Sequence, residues 1–475
     1  MRIIIVGAGT VGSQLARQLI SEKHDVSIIE PNEERARHAS NRLDCQVVHD
    51  AGNSMSALED AGVTRADAII CVTESDEVNM IVCGLASTRN SKMIKIARVR
   101  NDDYVRLSGA GEHVEGNRVL GIDWFVHPDV EASRSVLDAI EHGALGDILS
   151  FPGTPYDLCS VDIIEDCAFD GLALKNYHSL DTGESLVTLL ERQGECMPPT
   201  GSTVLHRGDR IHILAKESEM ENIFRLVGRT EKPLRKIGIV GGGRLGVLIA
   251  EGILGKSPEN PKGKGIFSFF KKIIPRMRNR LTIIEHDYAL CKELTARFPQ
   301  ALILNEDITD ESFITEEQID DLDLIITTTD QQELNIITAV YLKSRGVRRA
   351  IAMVTSPSYA AIARKLGIDV VIPMKSVVVD SILTHMIGGG VRGVHRLGDG
   401  SVNILELEIG AEAPVAGKAL KDCRLPTGCL IMLITRNGEA FIPRGDSELR
   451  ATDRIVLIAK NGAEGEIGRL FGGAS

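Results

Sequence analysis

The sequence lacks any hydrophobic run long enough to cross a bilayer, and it is poor in aromatic residues. Aromatic side chains make up 4% of the 475 residues, with a single tryptophan. A membrane-spanning helix needs about 20 consecutive apolar residues. The chain enters an apolar stretch at residues 2–6 without the charged and apolar regions of a secretion signal. We therefore expect a cytoplasmic protein that forms no pore of its own.

An excess of basic charge is also missing. The chain has 54 Lys and Arg against 66 Asp and Glu, a net charge of −12, and this balance argues against a nucleic-acid partner. The twelve histidines contain no H-E-x-x-H pattern and the nine cysteines no C-x-x-C pair. These patterns predict no metal site, and thiols that stay reduced and buried.

What the chain does contain is an internal repeat. The segment R-I-I-I-V-G-A-G-T-V-G at 2–12 returns as K-I-G-I-V-G-G-G-R-L-G at 236–246. Residues 68–79 return at 324–335, and I-A-R-V-R at 96–100 returns as I-A-M-V-T at 351–355. Because the order is the same in both halves, the pattern indicates a tandem duplication.

Each half predicts the same two-part architecture. Apolar strands alternate with amphipathic helices over its first 130 to 150 residues, which is typical of a doubly wound parallel sheet. A β-rich pattern follows, at about 161–215 and 402–459. We expect an α/β protein with two Rossmann-like domains, each followed by a small α+β lobe. The expected ranges are 1–130, 145–230, 234–387 and 393–475, with linkers near 143–155, 229–233 and 388–400.

The first glycine-rich turn is the main candidate for a ligand site. Gly7, Gly9 and Gly12 follow a strand and open a helix, which allows close backbone approach to a pyrophosphate. Glu30 ends the next predicted strand, where an acid accepts hydrogen bonds from ribose hydroxyls and repels a 2′-phosphate. The turn therefore predicts NAD(H) or ATP/ADP rather than NADP. The alternative is a glycine turn in a domain without ligand.

The second half repeats this pattern less completely. Its candidate site residues are Gly241, Gly243, Gly246 and Glu285. Arg98 and Arg100, expected at the ligand edge of the first sheet, are replaced by Met353 and Thr355. Because the loss of two cations should weaken polyphosphate binding, the alternative to a second nucleotide site is a degenerate or low-affinity one.

Further candidates lie at the ends of predicted strands, where parallel sheets bind ligands. They are Asp50, Thr73, Asp76 and Glu77, and Val11 within the first glycine-rich turn is a candidate as well. For Asp76, and for the nearby Asn53, a helix N-cap is the alternative role.

Together these motifs resemble the RCK (KTN) family, in particular the TrkA type of potassium-uptake regulatory subunit. The similarity covers nearly the whole chain. Its marks are the first glycine-rich turn, T-E-S-D-E-V-N-M at 73–80, I-A-R-V-R at 96–100, G-I-D-W-F-V-H-P at 121–128, and the C-lobe motifs at 416–420 and 442–446. The chain departs from the family pattern at Asp129, where glutamate is usual, and at Glu306 and Ile308, where a small glycine-containing turn is usual.

The resemblance implies a function and an assembly. It implies a cytosolic tetrameric ring at the inner face of the plasma membrane, docked on the membrane subunit of a Trk-type potassium transporter. It also implies nucleotide contacts at these positions: Gly7, Gly9, Gly12, Glu30, Asp76 and Arg100. The expected function is nucleotide sensing without catalysis. The alternative is an NAD-dependent oxidoreductase, which would need an acid–base residue such as His113, His127 or His142.

One segment interrupts the repeat. Residues 256–280 carry eight Lys or Arg and one acid, with six Phe and Ile among them. Basic and aromatic residues together suit an anionic membrane surface or an acidic protein face. Part of the segment, 262–280, is therefore a candidate contact with the membrane or the transporter. A mobile, solvated loop is the alternative.

Overall fold

The structure is a computed structural model, and it describes most of the chain. The described residues are 1–101, 103–104, 119–141, 148–151, 153–165, 167–193, 195–228, 234–255, 280–308, 310–386, 391–397, 402–460 and 462–472. They divide into two compact units, 1–146 with 233–382 and 147–232 with 383–475. No described helix is both long and apolar enough to cross a bilayer.

A six-stranded parallel sheet forms the first Rossmann-like lobe, in the order β3-β2-β1-β4-β5-β6. Its strands are β1 (Arg2–Val6), β2 (Asp25–Ile29), β3 (Gln46–Val48), β4 (Ala68–Cys71), β5 (Ile94–Arg98) and β6 (Trp124–Val126). Strands β1 and β4 are apolar and buried almost throughout, because helices cover both faces of the sheet.

The helices of this lobe are α1 (Thr10–Ser21), α2 (Glu33–Arg42), α3 (Met55–Asp60), α4 (Asp76–Arg89) and α5 (Pro128–Glu141). Ser54 caps α3 and Ser75 caps α4, each by accepting a backbone N–H bond. The alternative cap roles of Asn53 and Asp76 were therefore wrong by one residue in each case. Adjacent side chains that are all competent to cap cannot be separated by sequence pattern alone.

The second Rossmann-like lobe repeats the topology, in the order β14-β13-β12-β15-β16-β17. Its strands are β12 (Lys236–Val240), β13 (Arg280–Glu285), β14 (Leu302–Asn305), β15 (Leu324–Thr327), β16 (Arg349–Val354) and β17 (Val370–Pro373). Its helices are α7 (Arg244–Leu254), α8 (Tyr288–Arg297), α9 (Glu311–Glu316), α10 (Gln332–Arg345), α11 (Pro357–Lys365) and α12 (Met374–Met386).

Helix α5 of the first half packs into the core of the second lobe. Val136, Leu137 and Ile140 join the hydrophobic cluster formed by β12, β13, β15 and α7. The approach to α7 is close, since a Cβ on Gly252 would lie 2.3 Å from a methyl carbon of Leu137. The two Rossmann-like lobes therefore share a core instead of forming separate bodies.

A small β-rich lobe follows each Rossmann-like lobe, as expected, and each small lobe contains a five-stranded antiparallel sheet. The first has the order β10-β9-β11-β8-β7 and the second β18-β19-β22-β20-β21. Their elements are β7 (Ile148–Ser150), β8 (Tyr156–Asp162), β9 (Ser185–Arg192), β10 (Glu195–Met197), β11 (Arg210–Lys216), α6 (Glu217–Leu226), β18 (Val391–Leu397), β19 (Val402–Glu408), β20 (Leu430–Arg436), β21 (Glu439–Phe441), β22 (Arg454–Lys460) and α13 (Glu464–Phe471). Strand β18 lies inside the stretch 388–400 that we predicted as a linker.

The small lobes face each other within their unit and repeat one ion pair. Phe151, Leu158 and Leu214 of the first cluster with Ile404 and Met432 of the second. In each lobe an arginine donates two hydrogen bonds, at 2.6–2.8 Å, to the carboxylate of a buried aspartate. The pairs are Arg192–Asp209 and Arg436–Asp453. Such bidentate pairs fix the turn that precedes the last strand of each sheet.

Several other expectations concern features outside the core. All nine cysteines are free thiols, but only Cys71, Cys83, Cys159 and Cys291 are fully buried, so the prediction of buried thiols was wrong for the other five. The segment 256–279 lies outside the described residues, as do His113 and His142. Among the residues that are described, no group of three or more His, Cys, Asp or Glu side chains could hold a metal ion.

Candidate functional site

Both glycine-rich turns have the geometry of a phosphate-binding turn. Gly7 and Gly241 adopt φ angles of +106° and +103°, in the region that favours glycine. A Cβ on Gly12 would lie 1.9 Å from the Gly7 carbonyl oxygen. A Cβ on Gly246 would lie 2.1 Å from that of Gly241. Each third glycine is therefore required for the helix to approach the turn.

The middle glycine of each turn leaves room for a ligand. No atom lies within 4 Å of a Cβ built on Gly9 or Gly243. These two residues are the N-caps of α1 and α7, and neither cap is closed by a side chain. The first N–H groups of both helices are thus available to an anion.

The acid after the second strand braces the turn in both lobes. The Glu30 carboxylate, 4% exposed, accepts hydrogen bonds from the backbone N–H of Ala8 at 2.6 Å and of Asn32 at 3.0 Å. Glu285 does the same with Gly242 and Asp287, at 2.7 and 2.9 Å. Each carboxylate oxygen keeps a further lone pair, so bracing the turn leaves Glu30 able to accept from a ribose hydroxyl.

A buried asparagine holds the neighbouring strand ends in place. The side chain of Asn79 donates to the carbonyls of Thr73 and Arg98, at 3.1 and 2.8 Å, and accepts from the Thr73 N–H. Asn335 makes the equivalent bonds to Thr329 and Met353 in the second lobe. We did not single out this role from the sequence, although the recurrence of Asn at one place in both repeats was its signal.

Arg98 and Arg100 lie where β5 ends, as expected. Burial, followed by repulsion from Arg100, lowers the pKa of the Arg98 guanidinium. Its Nη1 lies 3.4 Å from the Thr73 carbonyl oxygen. Since an arginine keeps its proton at neutral pH, the two neighbouring cations favour an anion in their vicinity.

Three predicted site residues accept hydrogen bonds from other groups of the protein in this structure. Asp76 accepts from the backbone N–H of Arg100 and of Asn101, both at 2.8 Å, and so shapes the loop after β5. Glu77 is exposed and accepts from the Ser75 hydroxyl at 2.8 Å. Asp50 is exposed and accepts from the N–H of its neighbour Ala51.

A cavity of about 750 Å³ joins the two turns. Of the predicted residues, eight line it: Gly7, Gly9, Val11, Glu30, Thr73, Arg98, Arg100 and Gly243. The other seven do not: Gly12, Asp50, Asp76, Glu77, Gly241, Gly246 and Glu285. The volume lies within the usual range of pockets for small ligands and cofactors.

The cavity also has polar lining residues that we did not predict as site residues from the sequence. They include Arg35, Glu74, Asp129, Arg244, Asp330 and Lys375. Arg35 lies 3.8 Å from Glu74. Arg244 of the second turn crosses to the first half, where its Nε lies 3.5 Å from the Asp129 carboxylate. A signal for Arg244 was its place inside the repeated turn, where the first half has Thr10.

The second lobe presents a different wall. In place of Arg98 and Arg100 it has Met353 and Thr355, and the Thr355 hydroxyl and N–H donate to Gln332. Ile308 is 8% exposed and packs among Ile284 and Phe313. The second lobe thus keeps the geometry of the turn and lacks the cations that accompany it in the first lobe.

His127 is held by protein atoms on both sides of its ring. It is 3% exposed, with Nε2 at 2.9 Å from the Arg100 carbonyl oxygen and 2.5 Å from Arg244 Nη2. Its Nδ1 lies 3.4 Å from the Val130 N–H. This arrangement positions the loop after β5 and offers no free ring nitrogen to a substrate.

The two glycine turns on two parallel sheets, with an antiparallel lobe after each, define a protein with tandem RCK-type lobes. The TrkA-N domain model matches residues 3–114 and 270–373, and the TrkA-C domain model matches 404–472. Together they match more than half of the chain, and the chain belongs to the TrkA family.

Similar proteins agree with this family. The chain is 28% identical to the Trk system potassium uptake protein TrkA of Halomonas elongata, over 96% of this chain and 95% of that protein. It is 29% identical to the TrkA homolog of Archaeoglobus fulgidus, over 97% of both chains.

Solved structures share the fold. The GsuK RCK domain matches with a TM-score of 0.55 at 18% identity, covering 98% of this chain and 94% of that one. The GsuK channel bound to NAD matches with a TM-score of 0.54 at 18% identity, covering 99% and 78%.

Proposed function

We propose that this protein is a regulatory subunit of a Trk-type potassium uptake system, one that binds an adenine nucleotide and controls a separate membrane pore. The observation that carries the proposal is the first glycine-rich turn. Its uncapped helix N-terminus and the cations Arg98 and Arg100 line one cavity. Membership of the TrkA family supports the link to potassium uptake.

The nucleotide is NAD(H), ATP or ADP. The phosphates lie at Gly9 and the N-terminus of α1, close to Arg100, and the ribose lies at Glu30. Glu30 disfavours a 2′-phosphate, because the oxygens left for a ligand are acceptors on an anionic group. The first turn is the principal site. The second turn, without cations on its own strands, binds more weakly or stays empty.

The proposed regulation is a shift of population between two shapes. A nucleotide can bias the ring only by binding one shape more tightly than the other. The chain acts as a tetramer docked on the membrane subunit of the transporter.

Residues 262–280 remain a predicted contact with the membrane or with that subunit. This prediction is tested by deleting residues 257–279. Flotation with anionic liposomes and pull-down with the transporter then measure the two associations.

Thermal-shift titration tests the proposed ligand directly. A ligand that binds the folded state raises the melting temperature by mass action. We expect NAD(H), ATP or ADP to stabilise the protein, and NADP to do so less than NAD. If none of them does, the proposal is contradicted. Oxidation of a 2-hydroxy acid by NAD, or reduction of a keto acid by NADH, would support the oxidoreductase alternative instead.

A further inference from the structure

The N-terminus of α12, which belongs to the second lobe, abuts the first glycine-rich turn. Gln14, in the second turn of helix α1, places its Nε2 3.4 Å from the hydroxyl of Ser376, in the first turn of α12. Lys375 directly precedes Ser376, is half-buried, and lines the same cavity as Gly9 and Thr10. The second lobe therefore brings a cation to the turn of the first.

The first lobe in turn brings an acidic residue to the second glycine-rich turn. At the second turn, the corresponding neighbour is the first turn of α5, which contributes Asp129 to a pair with Arg244. The two turns have the same backbone geometry, but the residue that crosses from the other lobe is a lysine at the first turn and an aspartate at the second. This difference was not visible in the sequence, because it depends on which helix of each half crosses to the other lobe.

The cations of the first site form no direct ion pair with a carboxylate among the described residues, although Asp76, Asp129 and Glu74 lie near enough to Arg98 to act toward raising its pKa. Within the described part of the chain, neither Arg100 nor Lys375 forms an ion pair, and Arg98 contacts only a carbonyl oxygen. The Glu30 carboxylate, also in this cavity, is bonded to backbone N–H groups. Three cations from two lobes thus border a cavity whose turn already offers helix N–H donors to an anion.

We propose that Lys375 binds the phosphate groups of the nucleotide held at the first turn, so that the ligand is clamped between the two lobes. The inference rests on the proposed function and adds the residue by which the second lobe senses the ligand. A bound diphosphate or triphosphate joins α1 and α12 through its charge. The first site then selects polyphosphates, whereas the second turn, beside Asp129, does not.

Calorimetric titration of the full-length protein with ADP tests this role. We compare wild type with Lys375→Gln, the charge-preserving Lys375→Arg, and Lys365→Gln. Lys365 is an exposed lysine of the same lobe that does not line the cavity. Loss of one charged hydrogen bond is expected to weaken ADP binding roughly ten-fold in Lys375→Gln. Lys375→Arg is expected to stay within about three-fold of wild type, and Lys365→Gln to match it.

The melting temperature of each unliganded variant separates a contact with the ligand from a structural role. Unchanged melting with weaker ADP binding in Lys375→Gln supports the clamp. Equal ADP affinity in wild type and Lys375→Gln overturns the inference and leaves the proposed function intact. So does a lower unliganded melting temperature in Lys375→Gln that Lys375→Arg fails to restore. Wild type that binds neither ADP, ATP nor NAD contradicts the proposed function itself.

Discussion

At the scale of single residues, the two halves share their turns and differ in charge. The Glu30 and Glu285 carboxylates brace their turns through equivalent backbone bonds. The positions of Arg98 and Arg100 are taken by Met353 and Thr355 in the second lobe. Because helix N–H groups and neighbouring cations act together on a phosphate, we expect the loss of both cations in the second half to make the two proposed sites unequal.

Paired substitutions measure this inequality. Arg100→Ala is expected to weaken ATP binding by about 1–2 kcal/mol, because a charged contact to a phosphate is lost. Adenosine, which carries no phosphate, should be affected less. Thr355→Ala, at the same place in the second lobe, should change neither affinity. Isothermal calorimetry measures the affinity of each variant for ATP and for adenosine. Equal losses of affinity at the two positions would show that the halves are equivalent.

The sequence predicted eight of the residues that line this cavity and did not predict the residues that reach it from the other lobe. Gly7, Gly9, Glu30 and Arg100 could be predicted because a strand, a turn and a helix follow each other locally. Lys375 was not found, since its approach to the first turn depends on tertiary packing that no local spacing encodes. Ser54 and Ser75 were missed as caps, because each stands beside another residue able to cap.

At the scale of elements, one helix pair joins the Rossmann-like lobes. Gly252 on α7 allows Leu137 on α5 to pack directly against the helix backbone. Gly252→Ala would place a methyl group 2.3 Å from a Leu137 methyl carbon. We expect this overpacking to destabilise the lobe pair by about 1–3 kcal/mol, despite the better helix propensity of alanine.

Calorimetric melting compares this variant with a matched one. Gly468→Ala lies in helix α13, where no atom comes within 4 Å of an added Cβ. It should leave stability unchanged or raise it by up to about 1 kcal/mol. If Gly252→Ala melts no lower than Gly468→Ala, the close packing of α5 on α7 is not important for stability.

A second prediction at the scale of elements concerns the stability of strands β8 and β11 at low pH. Burial, with a smaller contribution from Arg210, lowers the pKa of His212 to about 4. His212 is 2% exposed, and its Nδ1 lies 2.7 Å from the Ser160 hydroxyl. The unfolded chain then binds a proton that the folded chain does not, so stability is complete above about pH 6.5 and falls toward pH 4.

The expected loss from His212 between pH 7 and pH 5 is about 2 kcal/mol. His212→Val, which installs the residue found at the matching position Val456 in β22, removes this titration. Hydrogen exchange of the β8 and β11 amides at both pH values reports the local free energy of opening. The idea fails if wild type and the variant lose protection equally on acidification.

At the scale of the whole molecule, the repeat also places apolar residues on the surface. Ile81 on α4 and Ile337 on α10 occupy the same position in the two halves, and they are 48% and 65% exposed. Ile362 and Leu366 are also more than half exposed. Exposed apolar residues at repeated positions are typical of a surface that is covered in an assembly.

We expect the double variant Ile81→Asp, Ile337→Asp to dissociate the proposed tetramer, because each aspartate would be buried at a contact between chains. Tyr288→Asp is the control, since Tyr288 is exposed but stands where the first half has the charged Glu33. Light scattering after size exclusion measures the mass. A wild-type monomer at micromolar concentration, or a double variant of unchanged mass, would contradict this assignment.

The fold class followed from the sequence because alternating strands and helices, repeated twice, leave few arrangements. The core shared by the two Rossmann-like lobes could not be predicted from the sequence. Helix α5 follows the first sheet along the chain, yet it buries Val136 and Leu137 in the second lobe. An amphipathic helix shows that it has an apolar face and does not show which sheet covers it.

The central claim is that nucleotide binding at the first turn controls ion flux through a separate pore. The most direct test is rubidium uptake into proteoliposomes holding the Trk-type membrane subunit of the same organism, with this protein and each nucleotide added. We expect at least one of NAD(H), ATP and ADP to change the flux with wild-type protein, and none to do so with the double variant Arg98→Ala, Arg100→Ala. The account would be contradicted if the flux changed with neither the protein nor any nucleotide. It would also be contradicted if a nucleotide changed the flux as much with the double variant as with wild type.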